Sequence, residues 1–581
     1  MIDWTAYLTF SANIGRTATE GHKVTLAAVA LLLALLWPGQ RRPALGHGAA
    51  LTFLLGLFGL DQFGGFTVLD PRVLFGLAAF VLAWPALRAV HDRLAPLLLV
   101  LLTLVSLGNY LRWGPRLITE RVDTYDLMHY YLNAKYFDEL GYYDLYPACI
   151  LADLENDGPR WDKRRNQVYM AQDGGVHAIK PISHGFQRGQ IVRSNNFTAE
   201  RWEQFEKDFL YLQREVYGMS DKAWREMIQD HGFNGTPVWT LIARPFAQAI
   251  PADRAFEWGG RTIPTIKLIG YLDVIVLAVA LGAVAWAYGG IPALWLTIWF
   301  CVTYSLRWPT VSWVFLRYDW VAALLLAMVA LKKERPYIAG LFAAWSATLR
   351  LFPAFWMWGP FSKGVGGLVR RKVRKPLLVL ALGFFVGVGV LELGAIGRYG
   401  TDHVVVHLYN MSDHNKATQL SSRRIGLALG LAFRGPYDSD PLPKIIERHR
   451  KLRIADQKPI RYGLGLLVML VMGWALRRAD DDEAFGYGFV PIYLLTTMSY
   501  YYYVARVTLV LVHAADLSKI RNQVGLAMLF GMEVFSNWAE FTYREHRLFL
   551  IGYLAWFIAV YIVVMTGFLL ADAREQERAD A

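Results

Sequence analysis

The stretch RVDTYDLMHYYLNAKYFDELGYYDLY, residues 121–146, holds residue types suited to chemistry. Asp123 and Asp126 stand three positions apart. On a helix they share one face with Tyr130, Asn133 and Phe137. An aspartate with an unperturbed pKa of about 3.9 is ionised at neutral pH. Held within hydrogen-bond reach of an attacking hydroxyl, it serves as a general base, typically worth about 10²–10⁴-fold in rate. The plainer reading is two solvated acids in a first helical turn, where the helix dipole favours negative charge. Position favours the chemical one: the pair lies just past a strongly apolar block, is interleaved with Tyr125, Tyr130 and Tyr131, and leads to Gly141, where the helix is expected to end.

The elements that must position this face are membrane helices. The chain has 581 residues, 55% of them hydrophobic, and apolar runs recur at about the 17–25 residues that span a bilayer. Backbone in that layer must satisfy its own hydrogen bonds, so the runs read as helices; a β-barrel would show short alternating segments. Spans are expected near 24–38, 48–68, 72–89, 94–111, 266–287, 291–307, 318–332, 336–360, 376–397, 461–477, 485–503, 504–516, 523–539 and 547–570. The fold class is an all-α polytopic membrane protein of about 13–15 membrane helices. It divides into a four-helix block (1–111), a large polar subdomain (112–264), a central block (265–397), a second polar loop (398–460) and a C-terminal block (461–581).

The formal charge of +12 reflects Lys and Arg on cytoplasmic loops rather than a nucleic-acid partner. Cys149 and Cys301 form no disulfide or zinc pattern. No cleaved signal peptide is read at the N-terminus, whose first residues could lie at the membrane surface. Basic clusters at 41–42, 88–93, 332–336, 363–375 and 517–522 are expected inside, which puts 112–264 and 398–460 on the extracytoplasmic side. One run resists: 336–360 separates two clusters that should both face the cytoplasm, yet it has the length of a single span. It contains Arg350 and Pro353, and a hairpin of two short helices breaking near LRLFP resolves the conflict. Within the polar subdomain, Thr198 is expected to cap a helix that buries Trp202, Phe205, Phe209 and Leu212. A second helix should begin near SDKAWREMI and stop by Gly232, and 146–195 reads as irregular loop.

The segment DLMHYYLNAKYFDELGYYDLY resembles the first extracytoplasmic loop of GT-C-fold glycosyltransferases, nearest to the polyprenol-phosphate-mannose-dependent mannosyltransferases (glycosyltransferase family 87). The matching positions are Asp126, Tyr130, Ala134, Gly141, Leu145 and Tyr146. A second stretch, RYDWVAALLLAMVALKKERPYIAGLFAAWSATLRLFP, is similar to a later family segment, with Arg350 where the family usually has Lys and with Arg317, Tyr318 and Asp319 replacing its Gly-Gln-x-Asn entry. The resemblance covers about half the chain. It implies Asp126 as catalytic base, with Asp123 as partner or substitute, and a polyprenyl-phosphate sugar as donor.

In an inverting transfer from such a donor, negative charge develops on the departing phosphate, and preorganised cations belong beside it. Candidates are Arg307, Arg317, Arg350, Arg423 and Arg424. Sugar or acceptor contacts are assigned to Tyr130, to Asn234 in the turn HGFNGTP, to His414 and Asn415 in the second polar loop, and to Tyr501 in MSYYYYVAR. Arg506 is a further phosphate candidate, and His403 and His407 lie in the same loop as His414. No cofactor is required and no metal ligands are assigned, although magnesium or manganese fits the chemistry. The expected protein is a multi-pass inner-membrane enzyme that delivers a monosaccharide to an extracytoplasmic glycan or glycolipid. Rival readings are a lipid-linked glycan polymerase or ligase, and a lipid-linked-sugar flippase or transporter.

Overall fold

A computed structural model describes residues 71–84, 95–111, 122, 124–156, 167–173, 176–230, 232–306, 313–369, 371, 373–418, 424–433, 444–542 and 547–580. The expected spans 24–38 and 48–68, the basic clusters at 41–42 and 88–93, and Asp123, Arg307 and Arg423 lie outside the described residues. The described chain is mostly helical. Four helices are long and apolar enough to cross a membrane: Thr265–Tyr288, Lys375–Tyr399, Lys458–Arg478 and Ile551–Ala579. Shorter apolar helices cover Arg72–Ala83, Ala95–Gly108 and Gly290–Val302.

In chain order, α1 (Pro71–Ala83) and α2 (Ala95–Leu111) precede the polar subdomain. That subdomain begins with α3 (Thr124–Leu140), which ends where Gly141 adopts φ +53°. The described residues within 146–195 are not irregular loop. They form α4 (Leu145–Asn156), the antiparallel hairpin β1 (Val168–Asp173) and β2 (Val176–Pro181), and α5 (Ile182–Asn196). Glycine at Gly185 and Gly189 makes α5 look a poor helix former. It is what lets the helix lie on α4, since a Cβ at Gly189 would sit 2.4 Å from the Pro147 carbonyl oxygen. The next helix, α6 (Ala199–Tyr211), follows the sequence reading. The Thr198 hydroxyl accepts from the Arg201 amide, and Trp202, Phe205 and Phe209 are buried. Then come α7 (Asp221–Ile228), α8 (Pro237–Ala249), and the hairpin β3 (Ala255–Trp258) and β4 (Arg261–Pro264).

The apolar part continues with α9 (Tyr271–Tyr288), α10 (Gly290–Val302), α11 (Asp319–Lys332) and α12 (Pro336–Arg350). The break expected near LRLFP is present. Leu351 takes φ +60°, a 3₁₀ turn covers Phe352–Met357, and α13 (Trp358–Val369) follows. One of the basic clusters flanking this pair meets an acidic run, and the other reaches it through Tyr288. Lys363 pairs with Asp481, the Tyr288 hydroxyl donates to Asp482 at 2.7 Å, and the Lys332 ammonium lies 5.6 Å from the Tyr288 ring. The run 336–360 is thus two helices with a break between them, as the hairpin reading expects.

The long α14 (Lys375–Tyr399) packs on α12 with backbones almost touching: a Cβ at Gly340 would stand 2.2 Å from the Leu380 carbonyl oxygen. The described residues within 398–460 are more structured than a connecting loop, with α15 (Thr401–Thr418), the two-residue β5 (Arg424–Ile425), α16 (Leu427–Ala432) and α17 (Lys444–Asp456). After α18 (Lys458–Ala475), the two expected spans at 485–516 are divided into α19 (Asp481–Gly486), α20 (Phe489–Leu495), β6 (Met498–Ser499), a 3₁₀ turn (Tyr500–Arg506) and α21 (Val507–Ala514). β6 pairs antiparallel with β5, and close packing of Gly488 on Trp356 belongs to the same broken stretch. Two long helices, α22 (Ile520–Thr542) and α23 (Arg547–Asp580), complete the chain. A buried ion pair, Arg506 to Glu533 at 2.7 Å, ties that 3₁₀ turn to α22.

Candidate functional site

Asp126 opens α3, and the loop before α11 brings a cation to it. An isolated β-bridge joins Val122 to Trp313, and Arg317, four residues further on, pairs with the Asp126 carboxylate. That loop is held from two sides. Buried Asp273 on α9 accepts from the Tyr318 amide at 2.9 Å and the Val314 amide at 3.2 Å, while the Trp239 indole on α8 donates to the Leu316 carbonyl at 3.1 Å. Leu316 takes φ +51° as the chain turns to present Arg317.

A cavity of about 660 Å³ is linked to this pair through Tyr501, one of its lining residues, on which Arg317 acts. Arg350, the last residue of α12, reaches it because the helix stops at Leu351. Arg424 reaches it from β5, where the β5–β6 pairing sets Arg424 opposite Ser499 and its guanidinium donates to the Thr497 carbonyl at 2.7 Å. Asn234 and Thr236 line it from the turn before α8. Thr236 caps that helix by accepting from the Trp239 amide. Tyr501 and Tyr502 line it from the 3₁₀ turn, with ring centroids 4.3 Å apart. Tyr130 is packed edge-on against Trp239 at 5.0 Å and lies, with Tyr501, Tyr502 and Asp319, in the electrostatic surroundings of Arg350. Tyr130 and Arg317 in turn stand close enough to Tyr501 to act on its phenol. Asp126 and Arg317 are not themselves on the cavity wall; the tyrosines connect the two halves.

The structure thus brings together Asp126, Arg317, Tyr130, Asn234, Arg350, Arg424 and Tyr501. Arg506 stands apart, held by Glu533. His414 and Asn415 fall on α15, with side chains outside the described residues. Asn133 and Phe137, on the same face as Asp126, are buried in the subdomain core, so only the first turns of that face belong to the site.

Among the wall residues not assigned to a site from sequence are an arginine and a histidine. Arg461, on the first turn of α18, is 5% exposed and lines the cavity. It stands at the head of an apolar run, and the reasoning that marks Arg350, an arginine in an apolar span, would have found it. His407, on α15, is 3% exposed and lines the cavity, and neither ring nitrogen has a hydrogen-bond partner. Burial first, and then Arg350, push its pKa down to about 4, so the imidazole is neutral at pH 7. Among the described residues, no three of His, Cys, Asp and Glu gather as a metal-holding group. Among the described residues the wall therefore carries three guanidinium groups, a neutral imidazole, hydroxyls and aromatic rings, and no carboxylate. Such a set suits an anion attached to a polar, ring-stacking group.

Compared with protein-family models, curated proteins and solved structures, the chain matches none.

Proposed function

We propose that this chain is an inverting, GT-C-type glycosyltransferase of a cell inner membrane, taking a monosaccharide from a polyprenyl-phosphate donor and passing it to an extracytoplasmic glycan or glycolipid. The observation that carries the reading is the convergence of Arg350 and Arg424 on one cavity, at the end of the helices opposite the basic clusters, with the Asp126–Arg317 pair linked to it through Tyr501. The basic clusters at Lys332, Lys363 and Arg374 meet at the other end and are taken as cytoplasmic. The cavity then opens on the far side, where the polar subdomain lies.

In this scheme Arg350 and Arg424 hold the lipid phosphate, and Tyr130, Tyr501 and Asn234 hold the sugar. An acceptor hydroxyl oxygen attacks the anomeric carbon, forming the new glycosidic bond. The bond from that carbon to the phosphate oxygen breaks, and its electron pair leaves with the phosphate. Asp126 takes the hydroxyl proton, and Arg317 holds that carboxylate in place. The arginines meet the charge that grows on the phosphate. A divalent ion has no required part.

The test is mass spectrometry of purified protein incubated with polyprenyl-phosphate monosaccharides and a cell-envelope glycan extract. Sugar-dependent release of polyprenyl phosphate, without an ion gradient, is the expected result. Release from lipid diphosphates alone would reassign the site to a polymerase or ligase. No release from either would remove the enzyme reading in favour of transport.

A further inference from the structure

The cavity is over-supplied with positive charge for the donor just described. A polyprenyl-phosphate sugar is a phosphodiester and carries one negative charge. Among the described residues, the wall carries three guanidinium groups and no carboxylate. Arg350 and Arg461 are 9% and 5% exposed, and neither is ion-paired among the described residues. The Nε atoms of both lack a hydrogen-bond partner. A buried guanidinium with an unanswered donor is costly, and Asp319, the carboxylate that acts on Arg350, is not among the cavity-lining residues, so this arrangement points to an anion that belongs there. His407 adds a second, independent sign. A neutral imidazole offers one donor and one acceptor, and both of its nitrogens are unsatisfied beside the same cavity.

We infer that the cavity is built for a phosphomonoester dianion, with Arg461 and His407 as ligands additional to Arg350 and Arg424, so that the lipid phosphate left after transfer is held more tightly than the donor. The inference rests on the proposed reading. It adds that the site is matched to the charge of the leaving group, the second charge appearing as the anomeric carbon–oxygen bond breaks. The enzyme is consequently inhibited by its own lipid product.

Binding tests this without turnover. Purified protein in detergent is titrated with farnesyl phosphate (a monoester), farnesyl methyl phosphate (a diester) and inorganic phosphate, read by thermal shift. At pH 7.5 the monoester should bind about tenfold tighter than the diester, the scale of one added charge-assisted contact. A phosphomonoester loses its second charge near pH 6. The preference should therefore vanish by about pH 5. Burial and Arg350 hold the His407 pKa down at about 4, below that interval, so the loss of preference reports the phosphate. Equal affinity for monoester and diester at pH 7.5 would overturn the inference. Arg461→Gln and His407→Asn should each narrow the gap, and Arg461→Lys should partly restore it. An unchanged gap in folded Arg461→Gln and His407→Asn would strip those residues of the role. Inorganic phosphate binding as tightly as farnesyl phosphate would overturn the lipid assignment. A monoester preference without sugar transfer from any donor would leave this inference standing while the proposed enzyme activity failed.

Discussion

At the scale of single residues, the site rests on how a few charges are answered. Asp126→Asn keeps the side-chain volume and removes the base. Transfer should fall by at least about 10²-fold, with donor binding retained. Equal activity in the two proteins, measured by polyprenyl-phosphate release, would exclude Asp126 as the base. His407 links the cavity to pH. Its pKa is about 4 in the folded protein and about 6.5 when unfolded. Between those values the unfolded chain binds the extra proton, so this residue withdraws stability as pH falls from about 6.5 toward 4 and has no such effect above that window. Thermal unfolding in detergent should show a steeper loss between pH 6.5 and 4.5 in the wild type than in His407→Gln; identical slopes would mean that the imidazole is not held neutral.

At the scale of elements, two devices decide whether the wall is presented correctly. The first is the Thr236 cap on α8, which fixes the turn carrying Asn234. Thr236→Ala should cost about 1 kcal/mol of stability. The accompanying sign is a raised donor KM at little-changed kcat, and an unaltered KM would separate the cap from the site. The second is the close approach of α12 to α14. Gly340→Leu places atoms where the Leu380 carbonyl and Phe384 amide already stand. The overpacking should cost about 1–3 kcal/mol and tilt Arg350 away from the cavity. A variant with wild-type melting temperature and farnesyl-phosphate affinity would refute that coupling.

At the scale of the whole molecule, what could be read from sequence was what local pattern encodes. The apolar runs were legible from composition, and Thr198 with its buried aromatic stripe from 3.6-residue spacing. The helix break at Leu351 followed from the two basic clusters and Pro353. Other features depend on partners far away in the chain. α5 exists because Gly185 and Gly189 let it settle on α4. The short β5–β6 pair joins residues 75 apart, Arg424 and Ser499. The division of 485–516 into short helices and a 3₁₀ turn comes from packing that hydropathy does not record. Arg350, Arg424 and Asn234 were named as separate candidates from three regions; that they share one cavity with Arg461 and His407 is a property of the fold alone. Sidedness is open to the same scale of test. With the basic clusters inside, a cysteine introduced at Arg371 should react with a membrane-impermeant thiol reagent only in inverted vesicles, and one at Arg448 only in right-side-out ones. The reverse pattern would turn the cavity to the cytoplasm.

The β5–β6 pair also bears on how the protein is made. The cavity wall draws on residues from Asn234 to Tyr502, so no such wall exists while the ribosome is still translating the middle of the chain. Arg350 leaves the ribosome long before Arg424, Arg461 and the tyrosines that will surround it. It must wait at the membrane with its charge answered by water, lipid headgroups or the insertion machinery. A chain truncated ahead of Met498 should therefore insert yet bind no farnesyl phosphate, and co-expression of the missing C-terminal fragment should restore binding. Assembly of the site is in this sense a late event in biogenesis, completed when a two-residue strand finds its partner.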